Sequence, residues 1–289
     1  MHQPSRTLPT LKDLDLLRQE LDVWICRYGL SDARDSIHEM ARPGIALRPS
    51  PGYSPAGARV SHFGGLPVLP QTVEWPTSAG VPMAYLGMLD FERIGPLDAT
   101  GLLPQSGRLF LWGRLHDFAL WSDDWNDGPR FSAVFIEGEA DGWTVRRSPW
   151  SRADSQEWFG NENGQMSVCN LSPRPRMTVP DIGDYCTDRF RDSLRAMEPD
   201  GWALYRNMVE EMRREMGNLA AHQMLGCEPT LQFAVRETDD QVVLLTFDGN
   251  SYLLGEGSVA GSGYIHVVMT EQTLRARDFS GITVAAQID

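Results

Sequence analysis

Apolar residues recur every three or four positions in two long stretches. Leu14, Leu17, Leu21, Trp24, Ile25 and Tyr28 fall on one side of a helical wheel. That spacing predicts a helix over 10–29, with Thr10 as N-cap, Asp13 three residues on and Gly29 as its stop. Leu204, Tyr205, Met208, Val209, Met212, Met216 and Leu219 form a second stripe, against Glu210, Glu211, Arg213, Arg214 and Glu215. It predicts a long amphipathic helix near 200–220. A shorter helix is expected from Ser31 to just before Pro43, with Ala33, Ile37 and Met40 inward.

Elsewhere the pattern shortens to that of strands. Met83 to Leu89 is an unbroken apolar run with Pro82 before it and Asp90 after it. A run of that length reads as a strand buried on both faces. A rigid loop precedes it. Gly64-Gly65 tolerate positive φ, while Pro67, Pro70 and Pro76 fix φ and donate no hydrogen bond. Arg108 to Trp112 alternates as a strand. Residues 131–147 read as a hairpin, Phe131–Ile136 and Trp143–Arg147 joined by a turn over 139–142. Short strands are expected at Ile45–Leu47 and Met177–Val179, and longer ones at Gln241–Phe247, Gly263–Met269 and Ile282–Ala286. Thr270 caps a short helix, and 148–166 is a loop.

These elements predict an α+β fold with mostly antiparallel sheet. The expected organisation is an N-terminal helical arm over 1–57 and one α+β domain over 58–289. A repeat is visible within it. One strand ends at Asp90, and Gly107 opens the strand Arg108-Leu109-Phe110-Leu111-Trp112. Another ends at Asp248, and Gly263 opens Tyr264-Ile265-His266-Val267-Val268. The match suggests an internal duplication of about 58–147 and 222–289.

Charge narrows the partners. The 289 residues carry a formal net charge of −13, and Lys12 is the only lysine. Such a balance disfavours nucleic acid and anionic membrane surfaces and permits a basic protein partner. Cys26, Cys169, Cys186 and Cys227 lie far apart, without zinc spacing. No stretch approaches the ~20 apolar residues of a membrane span, and no secretory signal opens the chain. A cytoplasmic protein without cofactor or metal is the expectation.

Two groups of residues are candidates for function. Arg59, His62, Phe63, Gly64, Gly65 and Trp75 are expected to form a rim for an anionic or planar ligand, with Asp90 nearby. Trp121, Asp123, Asp124, Trp125 and Asp127 mix aromatic anchors with acids, the composition of a protein-binding loop. That loop fails the calcium-hand pattern at its third and last positions. No phosphate loop, dinucleotide fingerprint or nucleophile elbow is present. Among the histidines, His222 is expected near a helix C-terminus as a capping group, and His266 within a strand. No catalytic residue is assigned. The two readings are a protein-binding module and a small-ligand binder or enzyme.

From Ala41 onward the order of segments resembles the bacterial YwqG-like family of unknown function. The carriers are Ala41-Arg42-Pro43, Ser61–Pro70, Trp75-Pro76, Pro82–Phe91, Leu102-Leu103-Pro104, His222–Gln232, Val242–Asp248, Gly263–Val268 and Leu274–Gln287. The chain departs from the family's Trp-Gly-Asp-Gly type turn, reading Gly255-Glu256-Gly257-Ser258 instead. The resemblance implies an α+β fold with largely antiparallel sheet. It brings no catalytic residues. Some family members sit near toxin and immunity genes, which hints at an immunity-like role.

Overall fold

The structure is a computed structural model that describes residues 14–50, 59–114, 130–138, 142–151, 166–181, 188–197, 200–215, 222–230, 235–248 and 263–288. Helix α1 spans Leu14–Arg27 and buries Leu17, Leu21 and Ile25, four residues apart. A 3-10 turn at Ser31–Ala33 leads into α2, Arg34–Met40. Asp22 of α1 ties the pair together, accepting from Arg34 at 2.5 and 2.7 Å and lying 2.7 Å from His38 Nε2.

Strands β1 (Arg42–Ser50), β2 (His62–Phe63), β3 (Val68–Pro70), β4 (Thr77–Ser78), β5 (Val81–Pro82) and β6 (Ala84–Asp90) follow. Every residue of β6 is buried, as its unbroken apolar run predicts. Asp90 caps the four-residue α3 (Phe91–Ile94) by accepting from the Glu92 N–H. Next come β7 (Arg108–Gly113), β8 (Phe131–Ile136), β9 (Trp143–Val145), β10 (Cys169–Thr178), α4 (Asp188–Arg195) and α5 (Gly201–Glu215). The chain ends with β11 (Gln223–Leu225), β12 (Gln241–Asp248), β13 (Gly263–Thr270), α6 (Glu271–Arg275) and β14 (Thr283–Ile288).

Ten strands form one antiparallel sheet in the order β14-β13-β12-β11-β1-β10-β2-β6-β7-β8. The fold is therefore α+β, as the pattern predicts. The order relates two chain segments: β1-β2-β6-β7-β8 in the first half and β10-β11-β12-β13-β14 in the second. The leading strands β1 and β10 pair with each other at the centre. The correspondence extends to single bonds. The Leu47 N–H donates to the His222 carbonyl and the Leu171 N–H to that of Ser61, both at 2.8 Å. The Asp90 N–H donates to Ser61 Oγ, and the Asp248 N–H to His222 Nδ1. Register slips at Leu86 in β6 and at Leu244 in β12. Consecutive left-handed residues stand at the end of each short strand, Gly64-Gly65 just after β2 (φ 70° and 77°) and Leu225-Gly226 at the close of β11 (55° and 78°). Strand β1 lies on the N-terminal side of residue 57, yet it is a central strand of this sheet.

The sheet curls around one core. Phe63, Leu86, Leu109, Leu111, Leu245 and Phe247 meet inside it. Phe279, just before β14, packs on Phe135 of β8 at 5.3 Å, so the two ends of the sheet approach each other. A second core lies outside, where α1, α2, α4 and α5 cover Met177 and Val179. A third lies behind β6 and β7, around Tyr85, Phe110 and Trp112. Leu109 and Leu111 thus serve one face of β7, and Phe110 and Trp112 the other.

The predicted hairpin over 131–147 is not what forms. Strand β8 pairs with β7, and β9 pairs with β3. The reason lies at Trp143. Its ring packs on Phe110 at 5.9 Å and under the Arg108 guanidinium at 4.6 Å, behind the sheet. Burying that surface outweighs a local turn. No helix among the described residues is long and apolar enough to cross a membrane.

Candidate functional site

The predicted rim residues point in different directions. Phe63 is buried in the inner core, 4.9 Å from Phe247 and 4.8 Å from His222 between ring centroids. His62, on the other face, donates from Nδ1 to the Val60 carbonyl at 2.8 Å and faces Tyr85 Oη at 3.4 Å. Burial lowers its pKa. Trp75 packs on Trp112 and donates to the Met83 carbonyl at 2.8 Å. Arg59 pairs with Glu92. Gly64 and Gly65 press against 166–168, where added Cβ atoms would lie 2.0 Å from the Ser167 carbonyl and 2.8 Å from Val168. Thus His62 and Trp75 share an aromatic row with Tyr85 and Trp112, while Phe63, Arg59 and the glycines are engaged elsewhere. Residues Trp121, Asp123, Asp124, Trp125 and Asp127 lie outside the described residues.

His222 is not a helix cap. It precedes β11, is 2% exposed and accepts the Asp248 N–H. Burial drives its pKa down to about 3, and that of His266 likewise. The sequence places His222 after a helical stripe. The sheet, however, needs it as the counterpart of Ser61, where its ring completes the inner core.

A different group of residues lines a cleft of about 520 Å3 between α1 and the outer face of β1 and β10. Its floor follows from strand register. In an antiparallel pair, directly opposed residues share a face. Arg48 lies opposite Ser172, Ala46 opposite Arg174 and Gly44 opposite Arg176. The period of two along Ser172-Pro173-Arg174-Pro175-Arg176 therefore sends both arginines to one face. Ala46 lines the cleft with a single methyl group, whereas Gly44 is backed by the chain at 224–226, 3.1 Å from where a Cβ would lie. Leu17, Leu21 and Trp24 of α1 line the opposite wall, and Met212 and Glu215 of α5 close one end.

The prolines fix the site from beneath. Because Leu47 donates toward β11, the pair Leu47–Pro173 is a non-hydrogen-bonded one between β1 and β10. Pro173 and Pro175 therefore turn their nitrogens to the other side of β10. There β2 reaches only Cys169 and Asn170. An exposed strand edge without N–H donors resists pairing with another strand.

Charge in the cleft is unbalanced. Burial and the nearby Arg48 and Arg213 guanidiniums pull the Arg176 pKa down to about 10, against Glu215 and Glu20. Arg176 Nε donates to the Met177 carbonyl at 3.3 Å, and no carboxylate pairs with it among the described residues. Arg48 Nη2 donates to the Glu215 carbonyl at 2.6 Å, while its buried Nε has no acceptor there. Arg213, by contrast, is paired with Asp181. Sequence reasoning missed Arg48, Arg174 and Arg176. The signal was the arginine–proline alternation over 173–176, a two-residue period that marks one face of a strand.

A family model described as Domain of unknown function (DUF1963) matches residues 61–287. No curated protein matches the chain. The matched segment contains Arg174 and Arg176, whereas α1 and Arg48 precede it.

Proposed function

The chain belongs to that family of unknown function, and from the cleft between α1 and β10 we propose that it binds a small anionic ligand. One observation carries the reading. Arg176 lines the cleft together with Arg48 and Arg174 and has no carboxylate partner among the described residues. Keeping like charges together in a partly desolvated site disfavours the empty protein, and an incoming anion relieves it. Guanidinium groups also match carboxylate and phosphate oxygens in pairs. The segments behind the YwqG-like resemblance support a bacterial, cytoplasmic setting. A basic protein partner is the second reading; it rests on the net charge of −13 and the loop from Trp121 to Asp127.

Calorimetric titration with acetate, phosphate and citrate at low ionic strength tests this. At least one is expected to bind and to raise the unfolding temperature. A ligand at one hundred times its Kd adds about 2.7 kcal/mol. Arg176→Gln is expected to weaken that binding at least tenfold. The empty variant should be as stable as the parent, or more stable by about 1 kcal/mol, because a repelled charge is gone. No anion binding, or an unfolded Arg176→Gln variant beside an inert parent, contradicts the proposal.

A further inference from the structure

Resting on that reading, we propose that the ligand is an amphipathic monocarboxylate, with its carboxylate on Arg48 and Arg176 and its hydrocarbon body along α1. The charge of the lining calls for an anion. Arg48, Arg174 and Arg176 face Glu20 and Glu215 across the same cleft, and the Glu215 carboxylate already lies 3.9 Å from Arg27 outside it. Glu20 keeps a negative charge near the head group, which a monocarboxylate crowds less than a phosphate dianion.

The other wall sets the body of the ligand. Helix α1 buries Leu17 and Leu21, but Leu16, which also lines the cleft, is 51% exposed. Trp24 and Leu97 extend this apolar lining. An exposed leucine beside a row of guanidiniums is the pairing of surfaces that an acid with a hydrocarbon chain would cover. A volume of about 520 Å3 is ample for such a molecule. An extended peptide fits less well, because Pro173 and Pro175 offer it no N–H on the free edge of β10.

The buried, acceptor-free Nε of Arg48 is a donor that a carboxylate oxygen would satisfy. It lies on the strand facing β10, in the same register as Ser172. Arg48 and Arg176 stand on opposed strands four register positions apart, so the carboxylate would lie between two long side chains, with the hydrocarbon chain running toward Leu16.

Straight-chain carboxylates from butanoate to decanoate, kept below micelle-forming concentrations, are titrated into the full chain by calorimetry. The matched 1-alkanols and inorganic phosphate serve as controls. Affinity is expected to rise about fourfold per methylene over part of the series, and each carboxylate to bind at least tenfold tighter than its alcohol. Arg176→Gln should abolish the preference for acid over alcohol and leave the length dependence. Leu16→Gln should flatten the length dependence and keep the preference for acid over alcohol. If an anion binds through Arg176 but chain length has no effect, the hydrocarbon part is overturned and the anion site stands. If acids and alcohols bind alike to the parent, or no anion binds, the site itself is overturned.

Discussion

Acidification below about pH 6.5 is expected to destabilise the fold steeply, because two histidines are locked in the sheet as neutral rings. His222 and His266 are 2% and 0% exposed. Burial holds the pKa of each at about 3, against an ordinary 6.5. Above pH 6.5 neither state binds these protons, and the contribution to stability is complete. Between pH 6.5 and 3 only the unfolded chain takes them up. Stability then falls as pH falls, by about 1.4 kcal/mol per pH unit for each ring. By pH 4.5 the loss from both is about 5 kcal/mol, comparable to the whole stability of many domains. Urea unfolding at pH 7.5, 6.5, 5.5 and 4.5 reads this directly. His266→Gln removes one titrating ring and its contact with Thr246 Oγ1 at 3.0 Å. It should lower stability at pH 7.5 and reduce the slope by about 1.4 kcal/mol per pH unit. A slope unchanged by that variant would sink this explanation.

Gly64→Ala is expected to cost more than about 3 kcal/mol, while Gly29→Ala costs about 1–2 kcal/mol. Both residues have left-handed φ, 70° and 69°. Their surroundings differ. A Cβ on Gly29 would meet nothing within 4 Å, whereas one on Gly64 would lie 2.0 Å from a backbone carbonyl. The Gly64 and Gly65 N–H groups donate to the Leu86 and Met166 carbonyls at 2.8 and 2.9 Å, so the turn cannot swing aside without breaking them. Leu225 stands where Gly64 does in the other half of the sheet and has φ 55°. Conformation alone therefore does not demand glycine there; the approach of residues 166–167 does. Denaturant unfolding of the two variants gives the difference. Equal losses would mean that the turn has room to relax.

The helices and most long strands were legible because their apolar periods are unbroken. The stripe of α1 and the apolar run from Met83 to Leu89 leave few alternatives. Asp90 and Asp248 end β6 and β12, and Gly107 and Gly263 stand at the starts of the strands that pair with them. What stayed hidden depends on distant partners. Strand β10 was legible only at its end, as the short strand Met177–Val179, because Pro173 and Pro175 interrupt its pattern. Those prolines are tolerated because the pairing with β2 goes no further than Asn170. Trp143 looked like the return strand of a hairpin but found a better surface on Phe110. The rim residues point in different directions for a similar reason. Local stiffness at Gly64-Gly65 serves close packing on 166–168. The arginines of the cleft are spread over two strands far apart in sequence, and only the register of β1 on β10 brings them to one face.

The account stands on Arg48 and Arg176 being the groups that meet an anion. Arginine side-chain Nε–Hε resonances, recorded by NMR with and without octanoate, address this residue by residue. The prediction is a large, saturable shift at Arg48 and Arg176, absent at Arg59 and Arg275. Shifts centred on Arg59, or small and uniform across all arginines, would contradict it.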